Sequence, residues 1–195
     1  MPEALRVYDK GTNMEYEGRK YEYSVVPYAS GWAEVYKREA ALIQRILGED
    51  LIYIEHIGGT AVAGTCGRPI VDIAVAVRDL ARVDFYHMAL AAVGYEPVRD
   101  ITFPHARRFV KDTAADLYIF PGEHPMMAAM ADHRDYLRAH PDEAKKLSEL
   151  KNKLFKKYGC DFAAYQEDKE EFLKRLSRKA AHWRGRAAES DEGTV

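Results

Sequence analysis

The sequence predicts an α+β protein: a small mixed sheet with two helices, followed by a helical C-terminal part packing on it. Three observations carry that expectation. Residues 30 to 48 repeat apolar side chains at helical spacing, two β-branched runs at 51–57 and 70–77 flank a glycine-rich break, and composition turns helical after Pro121-Gly122. The 195 residues suit one compact domain with a sizeable core.

Residues 1 to 22 lack a sustained period and are punctuated by Gly11 and Gly18, so they read as an N-terminal extension that orders only by docking. Ser24 to Val26, stopped by Pro27, reads as a short edge strand. In the helix over 30–48, Trp32, Val35, Tyr36, Leu42, Ile43, Ile46 and Leu47 share a face, with Ser30 as N-cap and Gly48 as stop. Strands follow at Leu51 to Ile57 and Ile70 to Val77. Between them, residues 58 to 67 hold four glycines in ten positions, which demands a sharp turn or a close backbone approach. A second helix is expected from about Leu80 to Val93, ending at Gly94. Three strands follow, at Tyr95 to Val98, Arg107 to Lys111 and Asp116 to Phe120.

Beyond these, residues 124–139, 141–158 and 161–178 read as helices. The second opens on Pro141-Asp142-Glu143 and closes on Lys156-Lys157 before Gly159, charges that suit the helix dipole. The third takes Asp161 as its cap and buries Phe162, Tyr165, Phe172, Leu173 and Leu176. Residues 179 to 195 lose the pattern and are expected to fray. The folded domain is thus expected over 23–178, helical from about 124.

Charge and composition exclude several function classes. With 29 basic against 31 acidic residues the chain has no basic signature, which argues against nucleic acid as a partner. Two cysteines, Cys66 and Cys160, are too few for a disulfide framework. No apolar run approaches the ~20 residues of a membrane span, and the acidic N-terminus is unlike a signal peptide. A cytoplasmic protein is the expectation; the oligomeric state is open.

One segment carries chemistry. A strand ending in Glu55-His56-Ile57 runs into Gly58-Gly59-Thr60, and Asp72 follows inside an apolar strand. Backbone amides in such a turn can cradle phosphate oxygens, with Thr60 adding a hydroxyl. A carboxylate within an apolar strand needs a metal, a base or hydrogen-bond donors. Together they suggest a site for a phosphate and a metal. Of Glu55 and His56, which alternation sends to opposite faces, His56 is the expected neighbour of the site. The alternative is a packed structural histidine. The remaining histidines show no zinc-ligand spacing, and Cys66 has no partner base in view.

The spacing resembles that of the nucleotidyltransferase superfamily, the DNA polymerase β-like fold: an apolar residue and two small residues, a gap, then Asp, an apolar residue and a second acid. Ile57-Gly58-Gly59 and Asp72-Ile73 match across residues 60 to 71, but position 74 is alanine. Further segments resemble the GrpB family of bacterial proteins. They are Val25-Val26-Pro27-Tyr28 with Trp32, Ile54 to Gly58 with Thr60-Ala61-Val62, Pro69 to Ile73, Arg107 to Lys111, Arg134 to Arg138, and Tyr165 with Lys169 and Phe172. The resemblance runs from about residue 23 to 176.

It implies a nucleotidyltransferase-like mixed sheet flanked by helices. It also implies a nucleotide or other phosphorylated small molecule as ligand, a divalent metal, Mg²⁺, and nucleotidyl transfer as the reaction. Family members usually carry Ser at position 59, Pro at 63, and a His-apolar-His pair where this chain has Asp116-Leu117-Tyr118. Asp116 then either supplies the second acid, making Asp72 and Asp116 the metal pair, or faces solvent. Arg68, Arg107 or Lys111 would neutralise ligand charge; alternation along the strand puts Arg108 on the other face from Arg107 and Lys111. Two other functions stay open. One is a silent ligand-binding or accessory module, supported by Ala74. The other is a metal-free enzyme on a non-nucleotide metabolite, using His56, Glu55 or Tyr118 for proton transfer.

Overall fold

The computed structural model describes residues 6–7, 13–16, 19–22, 24–98, 103, 105–112, 114–159 and 161–192. Among them the chain divides into two compact units. One comprises Met1–Tyr28, Gly64–Arg68 and Asp132–Val195, the other Ala29–Ala63 and Pro69–Ala131.

The second unit is built on a five-stranded mixed sheet. Its strands are β5 (Leu51–Ile57), β7 (Val71–Val77), β8 (Glu96–Val98), β9 (Arg107–Lys111) and β10 (Ala115–Pro121), in the order β5-β7-β10-β9-β8. β7 and β10 run parallel, and every other pair is antiparallel. The two central strands are buried almost throughout, which explains their near-continuous apolar sequence. One face packs against α1 (Gly31–Leu47), whose Trp32, Ala40, Ile43 and Leu47 are buried as the periodicity requires. The other carries an apolar cluster of Ile57, Ala74, Ala76, Phe120 and Met127.

Two local expectations change here. Ser30 makes no side-chain cap on α1, while the Gly48 amide closes the helix onto Gln44. The stretch expected as one helix over 80–93 is a 3₁₀ turn, Leu80–Tyr86, followed by a short α2 (His87–Ala92). Asp79 caps it by accepting from the Ala81 amide at 2.9 Å.

The first unit holds a three-stranded antiparallel sheet of β1 (Arg6–Val7), β2 (Asn13–Tyr16) and β3 (Arg19–Glu22). The stretch expected only as an extension thus pairs with itself, through strands too short to show a period. β4 (Val26–Pro27) pairs antiparallel with β6 (Cys66–Gly67). Cys66 is buried, with its amide donating to the Ser148 hydroxyl at 3.0 Å. α4 (Pro141–Tyr158) has its proline in the first turn and its charges as expected.

α3 (Pro125–Ala139) precedes α4, and α5 (Phe162–Glu192) follows it, begun by the Asp161 side chain accepting from the Ala164 amide at 3.1 Å. Tyr165 and Leu176 are buried; the Phe162 side chain and Cys160 lie outside the described residues. The expected fraying from 179 is corrected, because α5 continues to Glu192. Tertiary contacts hold that stretch. Ala180 is buried, Lys179 pairs with Glu143 at 2.9 Å, Arg184 pairs with Asp132 at 2.7 Å, and Trp183 meets Tyr136 edge-on at 6.1 Å.

Candidate functional site

Strand register assembles the acidic residues. Ile57 pairs with Asp72 across β5 and β7, Asp72 with Asp116 across β7 and β10, and Asp116 with Val110 across β10 and β9. Directly opposed residues project to the same face, with strands ~4.8 Å apart. Asp72 and Asp116 are therefore neighbours on one face, from strands 44 residues apart in sequence. The next row on that face is Glu55, Ala74, Tyr118, Arg108 and Val98.

Gly58 follows directly on β5. Its backbone, at φ 72° and ψ −168°, occupies a region essentially reserved to glycine. A Cβ there would overlap the Asp72 carboxylate and come within 3.1 Å of its Cγ. The glycine thus lets the turn close against Asp72, and the 3₁₀ turn Gly59–Ala61 continues from it. Asp72 keeps partial solvent exposure. Asp116 is buried, 3% exposed. Its Oδ2 accepts from Arg108 Nη2 at 3.0 Å and from the Tyr118 hydroxyl at 3.5 Å. The Arg108 guanidinium also stands over the Tyr118 ring, 5.3 Å from its centre.

Several expected site residues lie elsewhere. His56 projects to the opposite face, where its ring stacks on Tyr36 at 4.7 Å and its Nε2 lies 3.0 Å from Thr60 Oγ1. It is the packed histidine, and Glu55 is the residue on the Asp72 face. Thr60 is 2% exposed and engaged by His56, so its hydroxyl does not line an open phosphate turn. Arg107 and Lys111 also belong to the His56 face. Arg107 forms a two-pronged pair with Asp84 at 2.8 and 3.0 Å, holding that carboxyl below its ordinary range. Lys111 reaches both oxygens of Glu39, at 2.9 and 3.1 Å. Arg68 falls in the first unit.

The cation on the acidic face is Arg108, which the choice of Arg107 and Lys111 passed over. Alternation already separated Arg108 from those two; knowing that Val110 opposes Asp116 would have selected it. The same register explains Ala74. That position is fully buried in the apolar cluster beside Ile57 and Met127, where an acid would be unsolvated.

Arg108 and Tyr118 also line a cleft of about 540 Å³, with Phe103, His87, Asp84 and Arg107 among its other walls. That volume is in the range of small-molecule sites. Among the described residues no three His, Cys, Asp or Glu side chains converge to hold a metal ion. A caged metal centre therefore does not fit. Mg²⁺ asks for less, commonly taking one or two carboxylates, the number that Asp72 and Asp116 present, and completing its shell with water and phosphate oxygens.

An α+β chain with a glycine turn closed on an in-register acid pair is the class that fold and site define. A family model described as GrpB protein matches residues 22–179, and the chain belongs to the GrpB family. The UPF0157 protein SCO7215 of Streptomyces coelicolor is 34% identical over 163 residues, covering 82% of this chain and 84% of that protein. The UPF0157 protein YqkA of Bacillus subtilis is 28% identical over 87% of this chain, which spans only 50% of YqkA. The crystal structure of conserved protein GrpB from Enterococcus faecalis superposes with a TM-score of 0.76 at 26% identity, covering 82% of this chain and 99% of that one. The α+β architecture with its helical C-terminal part is accordingly that of the family. No helix among the described residues is long and apolar enough to cross a membrane.

Proposed function

We propose that this GrpB-family chain binds a phosphorylated small molecule, a nucleotide being the leading class, together with Mg²⁺ on the Asp72 face of the sheet. The observation that carries the reading is the register of Asp72 with Asp116 beside the Gly58 turn. Asp72, partly solvent-exposed, would hold the cation, with Asp116 as the second carboxylate. Bound there, the ion would polarise a phosphoryl oxygen and offset charge developing on the phosphorus. The protein's part is to set Asp72 against a turn that a phosphate can approach closely and to supply Arg108 as the matching cation. Nucleotidyl transfer is the reaction that the superfamily spacing implies. A cytoplasmic location belongs to the same reading.

Thermal unfolding against nucleoside triphosphates, coenzyme A precursors and sugar phosphates, each with Mg²⁺ and with EDTA, tests it. A ligand at 100 times its Kd stabilises the native state by about 2.7 kcal/mol. The expected result is a Mg²⁺-dependent shift with one ligand that Asp72→Asn abolishes. A flat panel, or a shift that survives EDTA and Asp72→Asn alike, overturns the reading.

A second reading, binding without transfer, is favoured by Ala74 and by the Arg108 guanidinium seated on Asp116. Turnover of a triphosphate that disappears in Asp72→Asn would exclude it.

A further inference from the structure

Arg108 belongs to two places at once. It lines the cleft with Phe103, Ala106 and Tyr118, and its Nη2 donates to the Asp116 carboxylate that stands in register with Asp72. A divalent cation and a guanidinium cannot share that carboxylate without placing like charges side by side in a poorly solvated spot, where their repulsion is weakly screened. Asp116 therefore ligates a cation the more readily once Arg108 has moved off its Oδ2. The other arginine of the cleft wall, Arg107, is held by Asp84 through a two-pronged contact, whereas Arg108 joins the cleft to the acid pair and so couples an incoming anion to Asp116. On departure Asp116 keeps the Tyr118 hydroxyl, 3.5 Å from the same oxygen, and the incoming cation replaces the charge that leaves. Departure does not need the sheet to move. The Arg108 side chain stands over the Tyr118 ring at the cleft wall, so the exchange from Asp116 to an anion asks for a rotation of that side chain.

We propose that the cleft receives the phosphate of the ligand at Arg108, and that this draws the guanidinium off Asp116 and frees it to join Asp72 in holding the cation. Phosphate and cation then bind with positive cooperativity, and in the absence of phosphate Arg108 keeps the acid pair from recruiting a divalent ion. The inference rests on the cation reading given above and adds to it the anion-recognising residue and the order of assembly.

Binding of Mn²⁺ to the full chain, followed by the electron paramagnetic resonance of the free ion with and without inorganic phosphate, tests it. The expected result is an Mn²⁺ affinity raised at least about five-fold by phosphate, the lower end of ordinary coupling between sites. In Arg108→Met, Mn²⁺ binds without phosphate about as tightly as it does to the parent chain with phosphate, and phosphate adds nothing. Asp116→Asn keeps Arg108 and removes only the carboxylate it guards. It retains the weak, Asp72-dependent binding and loses the phosphate effect, so the test survives if Arg108→Met does not fold.

Mn²⁺ binding that Asp72→Asn abolishes but phosphate leaves unchanged overturns the latch and spares the cation reading. A phosphate effect that persists undiminished in Asp116→Asn also overturns the latch. Absence of Mn²⁺ binding in both conditions, or binding undiminished in Asp72→Asn, overturns both.

Discussion

Gly58→Ala probes the contact on which the candidate site is built. At φ 72° and ψ −168°, position 58 holds a backbone conformation that costs a side-chain-bearing residue about 1–3 kcal/mol. The new methyl would in addition overlap the Asp72 carboxylate, with Cγ at 3.1 Å and Cβ at 3.2 Å close behind. Forcing one carbon into a packed position typically costs a further 1–3 kcal/mol or so. A loss of at least about 2 kcal/mol in urea-induced unfolding is expected, with the slope of the transition unchanged.

Gly64→Ala is a control for a positive-φ glycine without a collision. Gly64 has φ 80°, but a Cβ there meets nothing within 4 Å, so that variant carries the backbone cost alone. The difference between the two variants contains the collision with Asp72 together with the stricter backbone demand at position 58. The carboxylate has one way to escape it, by swinging off the turn, and then the Asp72-dependent cation affinity falls instead of the stability. Equal stabilities for the two alanine variants, combined with unchanged Mn²⁺ binding in Gly58→Ala, would refute the claim that Gly58 is there to let Asp72 approach.

Four other outcomes follow from the same geometry. Glu39 is 1% exposed and accepts from Lys111 and from Tyr95, whose hydroxyl its burial and the Glu39 charge push well above the ordinary range; Glu39→Ala should cost about 3 kcal/mol, while Glu39→Gln, which keeps an acceptor for Tyr95, costs less. Ala74→Asp, which supplies the acid the superfamily spacing lacks, should destabilise by several kcal/mol (~2–4 on the scale of a buried polar group) and leave cation affinity no higher, as unfolding and Mn²⁺ titration would show. Burial lowers the His133 pKa in the folded chain, so its contribution to stability is complete above the unfolded value near 6.5 and is lost as pH falls below it; His133→Gln should flatten that part of a urea-unfolding profile. Trp183→Ala should cost about 2 kcal/mol, below the range for fully buried tryptophan because Trp183 is only partly buried; a frayed tail would show no change.

The elements readable in the sequence were those whose signal is local. β5, β9 and α4 match the expected bounds because branched runs, alternation and end charges act within a few residues. Asp161 caps α5 for the same reason, by bonding an amide three positions on. What escaped depends on partners far along the chain. Residues 179–185 show no period of their own and are helical because Glu143, Asp132 and Tyr136 hold them. Strands of two to four residues at 6–22 are too short to display alternation, so only their pairing makes them visible. The 3₁₀ turn at Leu80–Tyr86 has apolar residues at spacings that serve an α-helix almost as well.

The candidate site divides along the same line. Gly58 and Asp72 were legible because a glycine turn and an acid inside an apolar strand are demands of single residues. Whether Asp116 joins them is a matter of register, which no local pattern encodes. Once Ile57 opposes Asp72, Asp72 opposes Asp116 and Asp116 opposes Val110, alternation alone assigns the rest. Arg108 falls on the acidic face and Arg107 and Lys111 on the other, while Glu55 replaces His56. A parallel pairing shifted by one residue would have reversed the Arg108, Arg107 and Lys111 assignments and sent Asp116 to the helix-covered face, leaving Glu55 and His56 where the β5–β7 register puts them. The apolar runs on both sides of these acids hold the register, because Ile73, Val75, Leu117 and Ile119 can be buried against α1 in only one of the two alternations. Core packing therefore decides which charges meet at the site, and a variant that slips β10 by one position would lose the acid pair and the Arg108 contact together.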